Sequence, residues 1–311
     1  MSEKKVLILL AAYKGGAYIR PMVDSILAQD CDCWQLVLSD DGEETADILQ
    51  EYADRFPDRI THYRAGERFG SAQKHFMHLL RRFGAQADYV MFADQDDVWH
   101  PDKVRRTLEL TELTEREMPG PVLVHTDLRV VDSELREIHP SFIRYSGLDG
   151  NRTALHQLLL QNVVTGCTMM LNRPLAELAA RDIPDEMMRM HDWWLAELAA
   201  ACGRVAYLDE ATIDYRQHGD NTVGASGTGL ATLLQKLRRG GDNHERIAAA
   251  MRQAGALAEI YTDALPEQSL SLLCGFAALE HAPRAERMAF YRKNDVWFAG
   301  TVRKLGQKVW G

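Results

Sequence analysis

The sequence lacks any run of about 18 or more apolar residues, the length that a helix needs to cross a bilayer. The apolar run near its start, Val6 to Ala12, is at the lower limit for the core of a signal peptide, and we interpret it as a buried first strand. The chain also lacks an excess of basic residues: 36 lysines and arginines stand against 45 aspartates and glutamates, a formal net charge of -9. General nucleic-acid binding is therefore not expected.

Cysteine is scarce, with five residues at scattered positions. An odd, scattered set argues against a disulfide framework and favours a reducing cytoplasm. Cys31 and Cys33 form a C-x-C pair, but no second pair stands nearby at the spacing of a structural zinc site. The glycine-rich stretch 224–229 follows no predicted strand, so it is not a dinucleotide-binding fingerprint.

The first half of the chain alternates between strand and helix patterns. The predicted strands are Val6 to Ala12, Gln35 to Ser39, Ile60 to Tyr63, Tyr89 to Ala93 and Val122 to His125. The predicted helices are Ala17 to Gln29, Thr45 to Tyr52, Ala72 to Phe83 and Pro101 to Glu117. This order predicts an α/β fold with a mostly parallel central sheet and helices on both faces.

The second half has a more mixed pattern. Val163 to Leu171 and Val205 to Leu208 are predicted to be strands, and Asp192 to Ala201 a helix. Beyond residue 224 the pattern is helical with few strand signals. We therefore expect a first domain over residues 1–224 and a helical C-terminal region over residues 225–311.

Polar residues follow three of the predicted strands, at the sheet edge where open α/β proteins bind ligands. Ala11-Ala12-Tyr13 follows the first strand, Asp40-Asp41-Gly42 the second, and Asp94-Gln95-Asp96-Asp97 the fourth. Carboxylates this close repel one another, and their burial is unfavourable. A divalent cation would relieve the repulsion and would also bridge to a phosphate. The pattern therefore predicts a metal site that holds a diphosphate.

The chain contains six motifs whose order and spacing resemble those of the family 2 glycosyltransferases: LLAAYKGGAYI, LSDDGEE, FADQDDVWHPDK, TGCTMML, MHDWW and DYRQHGDN. The resemblance covers residues 5 to about 224 and is greatest to the bacterial rhamnosyltransferase-like branch. It implies the Rossmann-like GT-A fold and an inverting, metal-dependent transfer of a sugar from a nucleoside diphosphate. The branch implies dTDP-rhamnose as the first donor and a UDP-sugar as the next. The acceptor would be a saccharide of a surface polysaccharide or a lipid-linked glycan.

The resemblance also implies a metal site. Asp94-x-Asp96 matches the D-x-D motif, in which Asp96 would bind Mn²⁺ or Mg²⁺, and Asp94 with Gln95 would contact the donor nucleotide. His218 matches a histidine that completes this site, and imidazole is a suitable ligand for such an ion. Two structural alternatives stand beside this: Asp96 or Asp97 could cap the following helix, and His218 could be a structural residue.

The nucleobase would be contacted after the first two strands. Asp41 matches the family's base-contacting acid, and a carboxylate can accept the N3–H of uracil or thymine. Ala11 and Tyr13 match the loop that lines the base, with a core position as the alternative for Tyr13. Asp40 contributes to the same site or instead caps the turn at Gly42.

Asp192 matches the family's catalytic base, which takes the proton of the acceptor hydroxyl as it attacks the anomeric carbon. The aromatic residues beside it could raise its pKa toward neutrality. The alternative is that Asp192 is only the N-cap of the helix predicted there. Trp193 and Trp194 are either core residues or a stacking platform for the acceptor sugar.

Residues 290–311 are rich in basic and aromatic side chains. Five basic residues stand against one acid, and Trp297, Phe298, Leu305 and Trp310 lie between them. This composition fits peripheral contact with an anionic membrane at the cytoplasmic face. A C-terminal helix that docks on its own domain is the alternative.

Two other functions stay open at this point. Asp94 to Val98 also fits the D-x-D-x-[TV] motif of haloacid-dehalogenase-type phosphatases, with Asp94 as nucleophile, but this leaves Asp192 and His218 unexplained. A catalytically inactive glycan-binding module of the same fold would not need Asp41, Asp96, Asp192 and His218 together. A sugar nucleotidyltransferase is not supported, because AAYKGG lacks the expected glycine-rich, lysine-containing loop.

Overall fold

The computed structural model describes residues 4–42, 44–217 and 240–310. The strands are β1 (Val6–Ala12), β2 (Trp34–Asp40), β3 (Ile60–His62), β4 (Tyr89–Asp94), β5 (Val98–Trp99), β6 (Val122–Val131), β7 (Glu137–His139), β8 (Met170–Asn172) and β9 (Arg204–Arg216). The predicted domain boundary at residues 224 and 225 lies outside the described residues.

The helices of the first part are α1 (Ile19–Leu27), α2 (Ala46–Arg55), α3 (Ala72–Phe83), α4 (Lys103–Glu117), α5 (Phe142–Tyr145), α6 (Leu155–Leu158), α7 (Arg173–Ala179) and α8 (His191–Cys202). Those of the C-terminal part are α9 (Gly240–Ile260), α10 (Glu267–Ala277), α11 (Arg284–Lys293) and α12 (Thr301–Trp310). None of the helices in the described part of the chain has the length and hydropathy of a bilayer-spanning segment.

The described strands form one sheet in the order β3-β2-β1-β4-β8-β6-β9-β5, with β7 beside β6. The four strands from β3 to β4 are parallel, as predicted, because α1, α2 and α3 provide the crossovers that parallel pairing needs. From β8 onward the sheet is mixed: β8 runs antiparallel to both β4 and β6, whereas β6 and β9 are parallel. The expectation of a mostly parallel sheet therefore holds for the first four strands, and the remainder of the sheet combines parallel and antiparallel pairs.

The sheet has a hydrophobic core on each face. Alternate residues of β1 point to opposite sides, so Leu7 and Leu9 belong to one core and Val6, Ile8 and Leu10 to the other. Helix α1 covers the second core, whereas α3, α8 and the C-terminal helices cover the first. This arrangement confirms the predicted α/β fold with helices on both faces.

The parallel register brings the predicted strand ends together. Ala11 of β1 lies opposite both Ser39 of β2 and Asp94 of β4, and Ala12 lies opposite Asp40. The three polar segments therefore meet at one edge of the sheet, as the sequence predicted.

One predicted strand is wrong in most of its length. Of Val163 to Leu171, only the end from Met170 is in a strand, and Gly166–Thr168 form a turn of 3-10 helix. The apolar run is buried without strand pairing, and periodicity alone cannot separate these cases. The turn places Cys167 beside the acidic residues that follow β4.

The C-terminal helices share the core of the first part instead of standing apart from it. The ring of Trp194 on α8 packs against that of Tyr261, with centroids 6.2 Å apart. Glu197 of α8 lies buried against α9, where its Oε2 accepts a 2.8 Å hydrogen bond from Gln253 Nε2. Its Oε1 has no hydrogen-bond partner in the part of the chain that the structure describes.

Glu197 makes the stability of this contact depend on pH. Burial raises the pKa of the Glu197 carboxyl to about 8. Because this lies above the unfolded value of about 4.3, the folded state binds the extra proton, and the free energy of unfolding falls as pH rises between those values. We expect Glu197→Gln to be more stable than the wild type at pH 8 and to match it near pH 4. The gain at pH 8 should be about 1.4 kcal/mol for each unit by which the pKa of Glu197 in the folded state exceeds that in the unfolded state.

Urea unfolding at several pH values would measure this difference. Glu259→Gln, at an exposed position on α9, provides the matched control and should leave the pH profile unchanged. An unfolding free energy that varies with pH in the same way in E197Q and in the wild type would contradict the assignment.

Candidate active site

The side chain of Gln95 joins two of the loops at the sheet edge. Its Oε1 accepts a 2.6 Å hydrogen bond from the Tyr13 backbone N–H, and its Nε2 donates a 2.6 Å bond to the Tyr13 carbonyl. Gln95 was predicted to contact the donor nucleotide, whereas in the structure its amide holds the loop after β1. The Tyr13 side chain is 52% exposed, which rules out the core alternative. Its ring lies beside Gly42, in the loop that follows β2.

Gly15 leaves the room that this clamp requires. A Cβ at Gly15 would lie 2.2 Å from Gln95 Oε1, whereas one at Gly16 would meet only Glu44 Oε1 at 3.5 Å. We expect Gly15→Ala to displace Gln95 and weaken nucleotide binding by up to about thirtyfold, since the two hydrogen bonds contribute about 1 kcal/mol each. Gly16→Ala should bind as the wild type does.

Isothermal titration with UDP and dTDP would compare the two alanine variants. Equal affinities for both would mean that the Gln95 clamp does not organise the nucleotide site.

The two aspartates after β2 have separate roles in the structure. Asp40 accepts hydrogen bonds from the Gly42 N–H at 2.8 Å and the Thr45 N–H at 2.6 Å, so it caps the turn, in agreement with the structural alternative. Asp41 is buried and accepts bonds from the backbone N–H groups of Phe69 at 2.5 Å and Gly70 at 2.8 Å. Asp41 thus holds the loop before α3 against the edge of the sheet, and its contact with a nucleobase stays a prediction.

The acidic residues after β4 differ in burial and protonation. Burial, together with the charges of Asp96 and Asp192, raises the pKa of the Asp94 carboxyl to about 7. Asp97 is 1% exposed, and burial with the nearby charges of Asp96 and Asp94 raises its pKa well above the usual value. Neither oxygen of Asp97 has a hydrogen-bond partner among the described residues, and α4 has Asp102 at its N-cap. The prediction that Asp97 caps this helix is therefore wrong.

A buried thiol and a buried amine lie behind these carboxylates. Ligand atoms of Asp94, Asp97 and Cys167 all lie within 4.8 Å of one another. The ammonium of Lys103 is fully buried, 4.7 Å from the centroid of the Trp99 ring, and burial lowers its pKa to about 8. Burial also raises the pKa of the Cys167 thiol, which keeps it protonated and makes it a poor ligand. The carboxyl oxygens of Asp94, Asp96 and Asp97 are the kind of donor that Mg²⁺ and Mn²⁺ prefer, and Asp96 is only partly buried, so this segment fits such an ion.

Arg216 holds the loop that carries Asp96. Its Nε donates a 3.0 Å hydrogen bond to the Asp96 carbonyl and its Nη1 a 2.6 Å bond to the Ser133 carbonyl. Sequence analysis missed this role, although Arg216 belongs to the same motif as His218. His218 itself lies outside the described residues.

Asp192 lies near the D-x-D segment, at the start of α8. The helix begins at His191 with Met190 at its N-cap, so Asp192 is in the first turn and the N-cap alternative is wrong. Burial raises the pKa of its carboxyl to about 7, and its charge in turn helps to raise the pKa of Asp94. Asn162, which sequence analysis missed, donates a 3.2 Å hydrogen bond from Nδ2 to Asp192 Oδ1. The fold thus brings a carboxyl that titrates near neutral pH to the edge that carries Asp94.

The residues around Asp192 pack in the core. Trp194 is fully buried, and Trp193 is largely buried with its Nε1 donating a 2.8 Å hydrogen bond to the Leu158 carbonyl. The prediction that they form a stacking platform for the acceptor sugar is therefore wrong, and the core alternative applies. His191 is buried against Phe76, and burial lowers its pKa to about 4. The MHDWW motif thus supplies one polar group to the site on a helix that its neighbours anchor.

Known structures of the same architecture show the fold. S. aureus TarS 1-349 in complex with UDP is 14% identical, with a TM-score of 0.53 over 94% of this chain and 90% of that chain. The mannosyltransferase PcManGT from Pyrobaculum calidifontis, in complex with GDP-Man and Mn²⁺, is 16% identical, with a TM-score of 0.50 over 100% of this chain and 88% of that chain. The sheet order and these likenesses identify a GT-A fold.

The sequence matches define the class of enzyme. The dTDP-rhamnosyl transferase RfbG of Shigella flexneri is 26% identical over 231 residues, which cover 70% of this chain and 74% of that protein. Residues 7–178 match the family described as Glycosyl transferase family 2. The protein is thus a glycosyltransferase, and the chain belongs to glycosyl transferase family 2. The phosphatase interpretation of Asp94 is set aside with this assignment.

Proposed function

We propose that the protein is an inverting, metal-dependent glycosyltransferase that moves a sugar from a nucleoside diphosphate to a saccharide acceptor. The observation that carries the proposal is the convergence of Asp94 and Asp192, two carboxyls with a pKa of about 7, at one edge of the sheet. Rhamnose from dTDP-rhamnose is the first donor we propose, because RfbG bears that name, and a UDP-sugar is the second.

Asp192 acts as the general base in this proposal. A base is most effective when its pKa lies near the working pH, and burial brings Asp192 to that range. Asn162 donates a hydrogen bond to Oδ1, and backbone N–H groups at Gly166 and at the start of α8 also bond to this carboxyl, so its orientation is fixed. A further lone pair of the carboxylate would accept the proton of the acceptor hydroxyl. The proton moves from that hydroxyl to Asp192 as the oxygen attacks the anomeric carbon from the face opposite the departing diphosphate.

The donor would lie along the edge formed by the loops after β1, β2 and β4. Asp96, with His218, would hold Mn²⁺ or Mg²⁺, and the ion would supply charge neutralisation for the departing diphosphate. Asp94 would contact the ribose, and Ala11 and the exposed ring of Tyr13 would line the base. Asp41 uses one lone pair on each oxygen for the Phe69 and Gly70 N–H groups, so a further lone pair can accept the N3–H of thymine or uracil.

The acceptor that we propose is a surface polysaccharide or a lipid-linked glycan in assembly. The odd, scattered set of five cysteines favours a reducing cytoplasm, and a cytoplasmic enzyme would meet the acceptor at the inner face of the membrane. Peripheral contact through the C-terminal region would serve this purpose.

The experiment that tests the proposal is thermal unfolding with dTDP, UDP and GDP, each with and without Mn²⁺, followed by turnover of the matching sugar nucleotides. A nucleotide at about 100 times its dissociation constant should stabilise the fold by about 2.7 kcal/mol. A shift with dTDP or UDP that requires the metal, together with sugar transfer of inverted configuration, would support the proposal. Glycan binding without turnover of any donor would instead indicate an inactive binding module.

A further inference from the structure

Helices α11 and α12 border a cavity of about 640 Å³ whose charged lining is entirely cationic. Its basic residues are Arg284, Arg292, Lys304 and Lys308, and its other described lining residues are Ala285, Met288 and Trp297. No carboxylate is present in this described lining, although the chain as a whole has a net charge of -9. We call this feature the cationic cavity.

The cations of the cavity are positioned but not neutralised. The Nζ atoms of Lys304 and Lys308 lie 5.2 Å and 5.9 Å from the centroid of the Trp297 ring, within the range of cation–π attraction. Among the residues that the structure describes, Arg292, Lys304 and Lys308 form no ion pair with a carboxylate. An anion that enters the cavity would therefore meet several positive charges without displacing an acidic partner.

Helix α12 is attached to the protein by a face that carries Arg303 and Gln307. Arg303 on that face donates hydrogen bonds to the carbonyls of Gly147 at 2.8 Å and Ser146 at 2.9 Å. On the outer face, Val302 is 48% exposed and Leu305 is 62% exposed. These two residues are three positions apart, so they lie together on the helix surface. An exposed apolar pair thus adjoins the cationic cavity.

The structure revises which residues could meet a membrane. Trp297 is largely buried, and its carbonyl accepts a 2.5 Å hydrogen bond from Arg152, so it forms the wall of the cavity and is not an interfacial anchor. The side chain of Phe298 is partly buried against the main core. The docked-helix alternative therefore describes the inner face of this segment, while its outer face has the exposed apolar pair.

We propose that this face docks on an anionic bilayer, with the phosphate of a lipid headgroup in the cationic cavity and Val302 and Leu305 at the acyl boundary. A soluble phosphate would be attracted to the same cations but would gain nothing from the exposed apolar pair, which favours the bilayer. The inference rests on the proposed function in one respect: docking would bring the enzyme to a lipid-linked acceptor.

Co-sedimentation of the full chain with vesicles tests the proposal. One vesicle is pure phosphatidylcholine, and the other is an equimolar mixture of phosphatidylcholine and phosphatidylglycerol. We expect binding to the anionic vesicle only, and a loss of about fivefold in the partition coefficient for each of Arg292→Gln and Lys304→Gln. Leu305→Ser should lower binding by about tenfold.

The matched control is Lys293→Gln, which removes the same charge from an exposed neighbour of Arg292 that does not line the cavity. If K293Q loses as much vesicle binding as R292Q, the headgroup site is overturned, and the membrane is attracted by the overall positive charge of this surface instead. Two results would overturn the bilayer as the occupant. One is equal binding to neutral and anionic vesicles. The other is wild-type binding by L305S together with displacement of the protein from the vesicles by inorganic phosphate. The same variants are tested for thermal stabilisation by nucleotide. A loss of nucleotide binding, which would contradict the proposed function, is thereby distinguished from a loss of vesicle binding.

Discussion

Replacement of Asp192 by asparagine is expected to lower kcat by about 10² to 10⁴-fold, the range that general bases contribute. The amide keeps the size of the side chain but cannot accept the proton of the acceptor hydroxyl. Asn162 can still lie against the new oxygen, so the start of α8 should keep its conformation. Because the proposed donor site lies on the loops after β1, β2 and β4, affinity for UDP or dTDP should change little.

The pH dependence separates a base from a structural residue. A base must be deprotonated, so kcat of the wild type should rise as pH increases through about 7, the pKa to which burial raises Asp192, and level off above it. The residual activity of D192N should lack this rise of kcat with pH. Asp182→Asn, at an exposed position before α8, is the control that should keep both the rate and its rise with pH. A wild-type rate for D192N would show that Asp192 is not the general base.

Sequence patterns were sufficient to predict which residues meet at the edge of the sheet, because strands and the polar residues that follow them are recognised from neighbouring positions. Apolar runs predicted β1, β2 and β4 to within a residue, and parallel pairing then placed Asp41 and Asp94 at the same end of the sheet. The position of Asp192 beside Asp94 depended on a family resemblance, because a separation of 98 positions gives no local signal. The fold supplies that proximity through α8, which packs on the same face as α3.

Contacts that depend on side-chain orientation were not predictable in this way. Trp193 and Trp194 have the composition of a sugar platform, yet both rings are turned into the core by the packing of α8 against the C-terminal helices. Gln95 has the position of a ligand contact but pairs with the Tyr13 backbone, and its rotamer decides between the two roles. Arg216 forms its bond to Asp96 across 120 positions of sequence.

The two adjacent aspartates Asp96 and Asp97 are expected to respond in opposite ways to the same substitution. Burial and the charges of Asp96 and Asp94 raise the pKa of the Asp97 carboxyl well above its usual value, which favours the neutral form, and Asp97→Asn keeps the shape of that form. Asp96 is only partly buried and lies at the edge that would face the diphosphate. Asp96→Asn should therefore abolish the metal-dependent part of nucleotide binding and lower kcat at least about 100-fold, whereas D97N should keep both.

Thermal unfolding with Mn²⁺ and nucleotide measures this contrast within one protein. Wild type and D97N should gain about 2.7 kcal/mol at a nucleotide concentration of about 100 times the dissociation constant, and D96N should gain little. The reverse result, with stabilisation lost in D97N and kept in D96N, would place the ion among Asp94, Asp97 and Cys167, whose ligand atoms lie within 4.8 Å of one another. Since Asp97 and Cys167 are buried, an ion there would lie deeper than one held by Asp96 and would be farther from a diphosphate at the sheet edge. The position of the metal thus decides whether it can take part in the departure of the nucleotide.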